Sequence, residues 1–333
     1  MEKSAQKPWS NAFRKPVYVV PILLLVTVIP WLYIYANPER NGVIFTTQYS
    51  GEGNSLERIL EKAAMPDKMV IFTTSNEAWS APDSILDMFL GTMRRGNGTN
   101  IYIDHLVILT VDGQAYERCK LVHRHCYELI VSNSTHEEAL YMTPTYLNIL
   151  WKRTAFLLEV LKLGYSFVSS DADVLWLQDP FPRFFPDADI IVSSDTFKGS
   201  PDDMSSLANT GFYLTRSNNR TIQFFKYFLE AGIRYPKMKE QDVFDAIKTD
   251  ANTMKMGLRI KFLDTLYFGG FCHPSNNFNL VCTMHANCCI SLKSKIQDLT
   301  LVIEDWFSFY SLTPAEKANM TVFKFRSPRF CRM

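Results

Sequence analysis

An α/β domain with a mostly parallel central sheet and helices on both faces, carried behind an N-terminal transmembrane helix, is the fold class this sequence predicts. Three observations predict it. Short apolar runs alternate with helix-period segments from about residue 69 onward, and strands alternating with helices argue a parallel sheet covered on both sides. An apolar content of 47% in 333 residues supports a full core. Finally, residues 17–36, "VYVVPILLLVTVIPWLYIYA", carry no charge, and about 20 such residues span a bilayer core as a helix.

The anchor comes first in the chain. Lys3, Lys7, Arg14 and Lys15 precede the apolar run, whereas only Glu39 and Arg40 follow it closely. The positive-inside bias therefore predicts a cytosolic tail over 1–16, an anchor over 17–36 and a lumenal remainder. Pro21 and Pro30 kink such a helix without forbidding insertion. A cleavable signal peptide is the competing reading, but the apolar run exceeds the usual ~7–15 residues and "YIYANPER" offers no small-x-small site. Sequons at Asn97, Asn133, Asn219 and Asn319 suit a lumenal side. Seven cysteines can form disulfides there, with at least one left unpaired, and the absence of paired C-x-x-C motifs argues against structural zinc. The formal charge of +1 provides no global field to attract nucleic acid.

Residues 37–65 are polar and read as a stem, with the domain proper over 66–333. "MVIF" reads as the first strand, ending in the polar "TTSN", and "PDSILDMFLGTMRR" as a helix. "DHLVILTVD" is a strand, "GQAYERCKLV" a helix, and "TPTYLNILWKRTAFLLEVLKLG" a long helix stopped by Gly164. "YSFVSS" and "ADIIVSSD" are further strands, and "KEQDVFDAI" opens a helix whose buried stripe is Val243, Phe244 and Ile247. The aromatics of "WFSFY", Trp306 to Tyr310, read as core.

Ligands of open α/β sheets bind at the carboxyl ends of strands. Asp171 and Asp173 stand at such an end, as do Thr73, Thr74 and Asn76. Side chains two apart share a direction if the backbone stays extended. Two converging carboxylates then make a hard-oxygen site for Mg²⁺ or Mn²⁺, whose remaining ligands come from water and substrate phosphates. The bland alternative is an acidic turn. A haloacid-dehalogenase-like phosphatase, with an aspartate nucleophile, expects Thr or Val where Leu175 stands.

"GYSFVSSDADVLWLQDPF", "NTGFYLTRSNNRTIQFF", "KEQDVFDAI" and "FLDTLYFGGFCHPSNNFNLVCTMHANCC" resemble the plant nucleotide-diphospho-sugar transferase domain of glycosyltransferase family 77. The resemblance runs from about Val70 to Leu312. It implies a Rossmann-like GT-A fold, a divalent metal, usually Mn²⁺, a nucleotide-sugar donor, a glycan or glycoprotein acceptor and retention of anomeric configuration. With the topology, it implies a type II protein of the Golgi membrane. On the same basis His285 completes the metal site with Asp171 and Asp173, and Lys295 contacts the diphosphate, although Ser291 stands where related enzymes carry glycine. Asn209 and Gly211 of "NTGF" border the donor, with a strand bulge as the alternative role of Gly211. Gln241 lies near the anomeric carbon, and Glu240 replaces an aspartate that binds donor hydroxyls. Asp242 is the residual candidate nucleophile against front-face attack, and a dipole-complementing role at the helix start is its alternative. Arg153 and Lys152 either reach the donor or lie as surface cations. A non-catalytic lumenal binding protein with the same fold is the alternative from another class.

Overall fold

The computed structural model describes residues 55–129, 140–319 and 324–331. The expected tail, the anchor, most of the stem and Asn133 lie outside them. Among the described residues no helix is long and apolar enough to cross a membrane, and Asn97 and Asn219 are exposed.

The longer helices and the strands follow in this order: α1 Leu56–Ala63, β1 Met69–Ser75, α2 Ile85–Arg95, β2 Leu106–Thr110, α3 Gly113–Val122, β3 Cys126–Glu128, α4 Pro144–Lys162, β4 Ser166–Ser170, β5 Val174–Trp176, β6 Ile190–Thr196, β7 Leu207–Thr215, α5 Asn219–Arg234, α6 Glu240–Ile247, β8 Ile260–Phe262, β9 Phe268–Gly270, β10 Thr283–His285 and α7 Leu292–Tyr310. The seven-stranded sheet has the order β3-β2-β1-β4-β7-β6-β8. Its strands run parallel except β7, which is antiparallel to both β4 and β6.

Strand periodicity explains the near-continuous apolar runs. In β1, Val70 and Phe72 enter the core beneath α4, α5 and α6, while Met69 and Ile71 enter the core beneath α2. In β4, Phe167 and Val168 divide the same way. Each face therefore needs its own apolar set, and the strand reads as uninterrupted. Helix α4 starts with Thr143 accepting from Tyr146 N at 3.3 Å and Pro144 in the first turn. It ends before Gly164, whose φ of 82° favours glycine.

The stem boundary at 65 is corrected. Leu56, Ile59, Leu60 and Ala63 recur at helical spacing and are buried in the sheet's core, so the polar character of 37–65 concealed an amphipathic helix that belongs to the domain.

A second, three-stranded sheet has the order β5-β10-β9. It shares a third core with α7, built on Leu175, Leu177, Met284, Leu299, Val302, Trp306 and Phe309. The chain enters this sheet immediately after Asp173, so the acidic motif lies at the seam between the two sheets.

Candidate active site

The backbone from Asp171 to Asp173 is not extended. It turns, with Val174 N donating to Asp171 O at 3.1 Å, and then enters β5. His285 joins the two carboxylates because β10 pairs antiparallel with β5, setting His285 opposite Val174, and because Ala286 N donates to Asp173 O at 3.0 Å. Ligand atoms of Asp171, Asp173 and His285 all lie within 4.8 Å of one another. They open on a cavity of about 670 Å³.

The floor of this cavity is a buried charge network. Arg153 projects from α4 with one amino group on Asp171 Oδ1 and the other on Glu240 Oε1 at 2.9 Å. Thr210 Oγ1 donates to the same Glu240 oxygen at 3.1 Å. Burial alone lowers the pKa of Arg153, but Asp171 and Glu240 reverse this and raise it. Tyr146 faces the same carboxylates; burial first, then Glu240 and Asp171, raise its pKa, so its hydroxyl stays protonated. Glu240 Oε2 and Thr74 Oγ1 are buried without a hydrogen-bond partner, and both residues line the cavity.

Beside this network stands Asp195. Asn209 Nδ2 and Asn287 Nδ2 each donate to its Oδ1 at 2.7 Å, and Gln241 Nε2 donates to its Oδ2 at 3.0 Å. Gln241 Oε1 accepts from Thr210 N at 3.3 Å, which fixes the amide's orientation. Residues 210–212 bulge out of the β6–β7 ladder, since Tyr213 pairs with Val192 and Asn209 with the next residue, Ser193. The bulge carries Gly211 against His285, Asn209 and Asp171. A Cβ there would collide with His285 Cε1 and lie 2.9 Å from Asn209 Oδ1 and 3.0 Å from Asp171 Oδ2. The bulge reading of Gly211 is thus seen in the ladder, and what approaches its backbone closely is the side chains of His285, Asn209 and Asp171.

The opposite wall is formed by the start of α7 and by disulfide-tied loops. Lys295 Nζ lies 2.5 Å from Asp173 Oδ2 and 5.1 Å from the ring centroid of Trp79. Ser291 caps α7, accepting from Ser294 N at 3.4 Å. A serine in the expected glycine position thus leaves Lys295 within reach of the site. Cys272–Cys288 and Cys289–Cys331 bound this wall, Cys119–Cys126 lies elsewhere, and Cys282 is the free cysteine, its pKa pushed up to about 11 by burial.

The structure brings together Thr74, Asn76, Arg153, Asp171, Asp173, Asn209, Gly211, Glu240, Gln241, His285 and Lys295 around one cavity. Three candidates fall outside its lining, among them Lys152, which is half-buried on α4. Thr73 is buried within β1, which continues to Ser75, so it sits inside the sheet rather than at its end. Asp242 pairs loosely with Lys239 at 3.6 Å, and its side chain is 43% exposed; the helical turn from Gln241 rotates it away from the cavity. The surface-cation reading of Arg153 is replaced by a buried bridge. Sequence reasoning passed over Asp195, Asn287 and Tyr146. The strand-end rule that singled out Asp171 applies equally to Asp195 in "VSSD".

Two carboxylates and an imidazole suit Mn²⁺ or Mg²⁺ with phosphate and water completing the shell. Asp173 adds a specific indication. Its carboxylate is 1% exposed, and Oδ1, 3.3 Å from His285 Nε2, lacks a hydrogen bond. Although burial opposes ionisation, Lys295 and then His285 hold its pKa well below the usual carboxylate range. His285 is in turn raised, because Asp173 outweighs burial.

The family model for nucleotide-diphospho-sugar transferases matches residues 101–299. The Arabidopsis thaliana protein At4g15970, itself uncharacterised, is 40% identical over 86% of this chain and 76% of its own length. Over shorter stretches the chain is similar to a UDP-galactose:fucoside alpha-3-galactosyltransferase of Dictyostelium discoideum, 28% identical over 41% of this chain and 25% of that protein. A beta-arabinofuranosyltransferase of Arabidopsis, RAY1, is 26% identical over 33% and 23% respectively. With its acidic turn, strand-end cavity and matched span taken together, the chain belongs to the nucleotide-diphospho-sugar transferase family.

Proposed function

We propose that the protein is a metal-dependent, retaining glycosyltransferase of the GT-A fold and of glycosyltransferase family 77, transferring a hexose or pentose from a nucleotide-diphosphate sugar to a glycan or glycoprotein. The reading extends to a single-pass type II protein of the Golgi membrane, supported by the apolar run at 17–36 with its basic flank. The observation that carries the chemistry is the convergence of Asp171, Asp173, His285 and Lys295 on one cavity.

A nucleotide sugar departs as a diphosphate, and the cation held by Asp171, Asp173 and His285 would supply Lewis-acid neutralisation of that charge. The chain's own residues do the rest. Lys295 and the N-terminal turn of α7 face the diphosphate. Glu240 Oε2 and Asp195 offer acceptors to sugar hydroxyls, and Arg153 holds Glu240 in place. Gln241, fixed at both ends of its amide, lies where the anomeric carbon would sit. Asp242 points away from the cavity, and three amide donors already occupy Asp195. Neither presents a free nucleophile, which favours front-face attack, with a leaving-phosphate oxygen taking the acceptor proton.

The test is donor hydrolysis by the purified protein against a panel of UDP- and GDP-sugars with Mn²⁺. Turnover of one donor is expected, abolished by EDTA and lowered on the order of 10²–10³-fold in Asp173→Ala. If no donor turns over and no nucleotide binds with Mn²⁺, the reading gives way to a non-catalytic binding protein.

A further inference from the structure

Asp173 stands within reach of two different cations. Lys295 projects from the first turn of α7 with its side chain 12% exposed, and its Nζ lies 2.5 Å from Asp173 Oδ2. The other oxygen, Oδ1, faces His285. The same carboxylate belongs to the Asp171, Asp173 and His285 group that fits a divalent cation. An ammonium and a divalent cation on one buried carboxylate repel each other strongly, because little solvent screens them.

The two basic side chains paired with the carboxylates Asp171, Asp173 and Glu240 differ in their freedom to move. Arg153 is locked between Asp171 and Glu240. Lys295 is held by Asp173 and the face of Trp79, and its flexible four-carbon stem carries a point charge that needs no fixed fork geometry. Ser291 and Ser294, on the same turn, line the cavity where a diphosphate would approach. A charge balance over these five groups shows what would release a cation. Asp171, Asp173 and Glu240 face two permanent cations, leaving one net negative charge. A divalent cation alone would turn this into one net positive charge, and the two negative charges of a nucleotide sugar's diphosphate would restore the balance.

We infer that Lys295 is a tethered counter-ion that competes with the divalent cation for Asp173 and moves to the diphosphate when one arrives, so that metal and nucleotide bind cooperatively. This rests on the metal and donor reading proposed above. Lys295 then opposes the metal in the nucleotide-free site and assists the nucleotide in the metal-loaded one, and removing it has effects of opposite sign.

The experiment titrates Mn²⁺ into the purified protein by electron paramagnetic resonance of the free ion, with and without saturating UDP. UDP binding is then measured by calorimetry in saturating Mn²⁺. In the wild type, UDP tightens Mn²⁺ binding and, by linkage, Mn²⁺ tightens UDP binding by the same factor. Lys295→Met is expected to bind Mn²⁺ alone about tenfold tighter and UDP in saturating Mn²⁺ about tenfold weaker, so the coupling factor shrinks. Lys295→Gln, which keeps a polar end without charge, serves as the second variant, and thermal unfolding checks that each is folded. If both variants bind Mn²⁺ no tighter than wild type while UDP-assisted Mn²⁺ binding persists, the competition is wrong and the metal reading stands. If wild type binds neither Mn²⁺ nor UDP, the functional reading fails and this inference with it. Should neither variant fold, the wild type still decides, since absence of cooperativity between Mn²⁺ and UDP overturns the proposal.

Discussion

The floor and the far wall of the cavity are held in place by different means. The floor, Arg153, Asp171, Thr210 and Glu240, hangs from α4, β4, β7 and α6, which share the large apolar core of the main sheet. Strand register and helix packing place those side chains, and Arg153 ties the two carboxylates together. The wall, from Phe271 through Lys295 together with residues 324–331, has short strands and long loops. Covalent and capping ties replace sheet there. Cys272–Cys288 and Cys289–Cys331 bracket the segment, and buried Asp298 accepts from the backbone N–H groups of Arg329, Phe330 and Cys331 at 2.7, 2.8 and 2.7 Å. A small sheet buries too little apolar surface to define such loops alone. The contrast teaches that the charge pattern of the floor is a property of the fold, whereas the wall at the start of α7 depends on cross-links.

Four variants probe this contrast. Arg153→Met removes the cation between two buried carboxylates, and unfolding in urea should show a loss of about 3–5 kcal/mol. A loss under 1 kcal/mol would mean that the floor is not held by charge. Cys289→Ser with Cys331→Ser should cost about 2–4 kcal/mol and weaken Mn²⁺-dependent UDP binding. Cys119→Ser with Cys126→Ser, remote from the cavity, should cost stability while leaving UDP affinity unchanged. Equal effects of the two pairs on affinity would erase the distinction between wall and scaffold. Gly211→Ala places a methyl group from the floor strand against His285 of the wall, and about 1–3 kcal/mol of overpacking is expected. Since the collision is with a side chain of the proposed metal site, Mn²⁺ affinity should fall in the same variant, read by the same titration; unchanged affinity would show that the wall yields without losing its geometry.

Legibility in the sequence followed the physics of each element. The helix over 113–122 coincides with its expected span, and the strand over 166–170 is centred where it was expected, Phe167 and Val168 supplying one apolar residue to each face between serines. The amphipathic helix at 56–63 was read as stem, although Leu56, Ile59, Leu60 and Ala63 carry its spacing, because charged residues between them dominate the composition. The pair Asp171 and Asp173 was legible as strand-end carboxylates at an acidic turn, but their partner was not: the turn leads into a second sheet, whose β10 sets His285 opposite Val174.

What the sequence determined by itself is therefore local and periodic: alternating strands and helices, an acidic motif at a strand end, cysteines in excess of pairs. Residue types and spacing suffice for these because each depends on neighbours a few positions away. Tertiary structure alone decided that Arg153 is a buried bridge, that Asp195 gathers three amides, that Asp242 turns outward and that Lys295 meets Asp173. Each of those outcomes depends on which distant segments the sheets bring into register, and on the burial that makes a charge seek a partner.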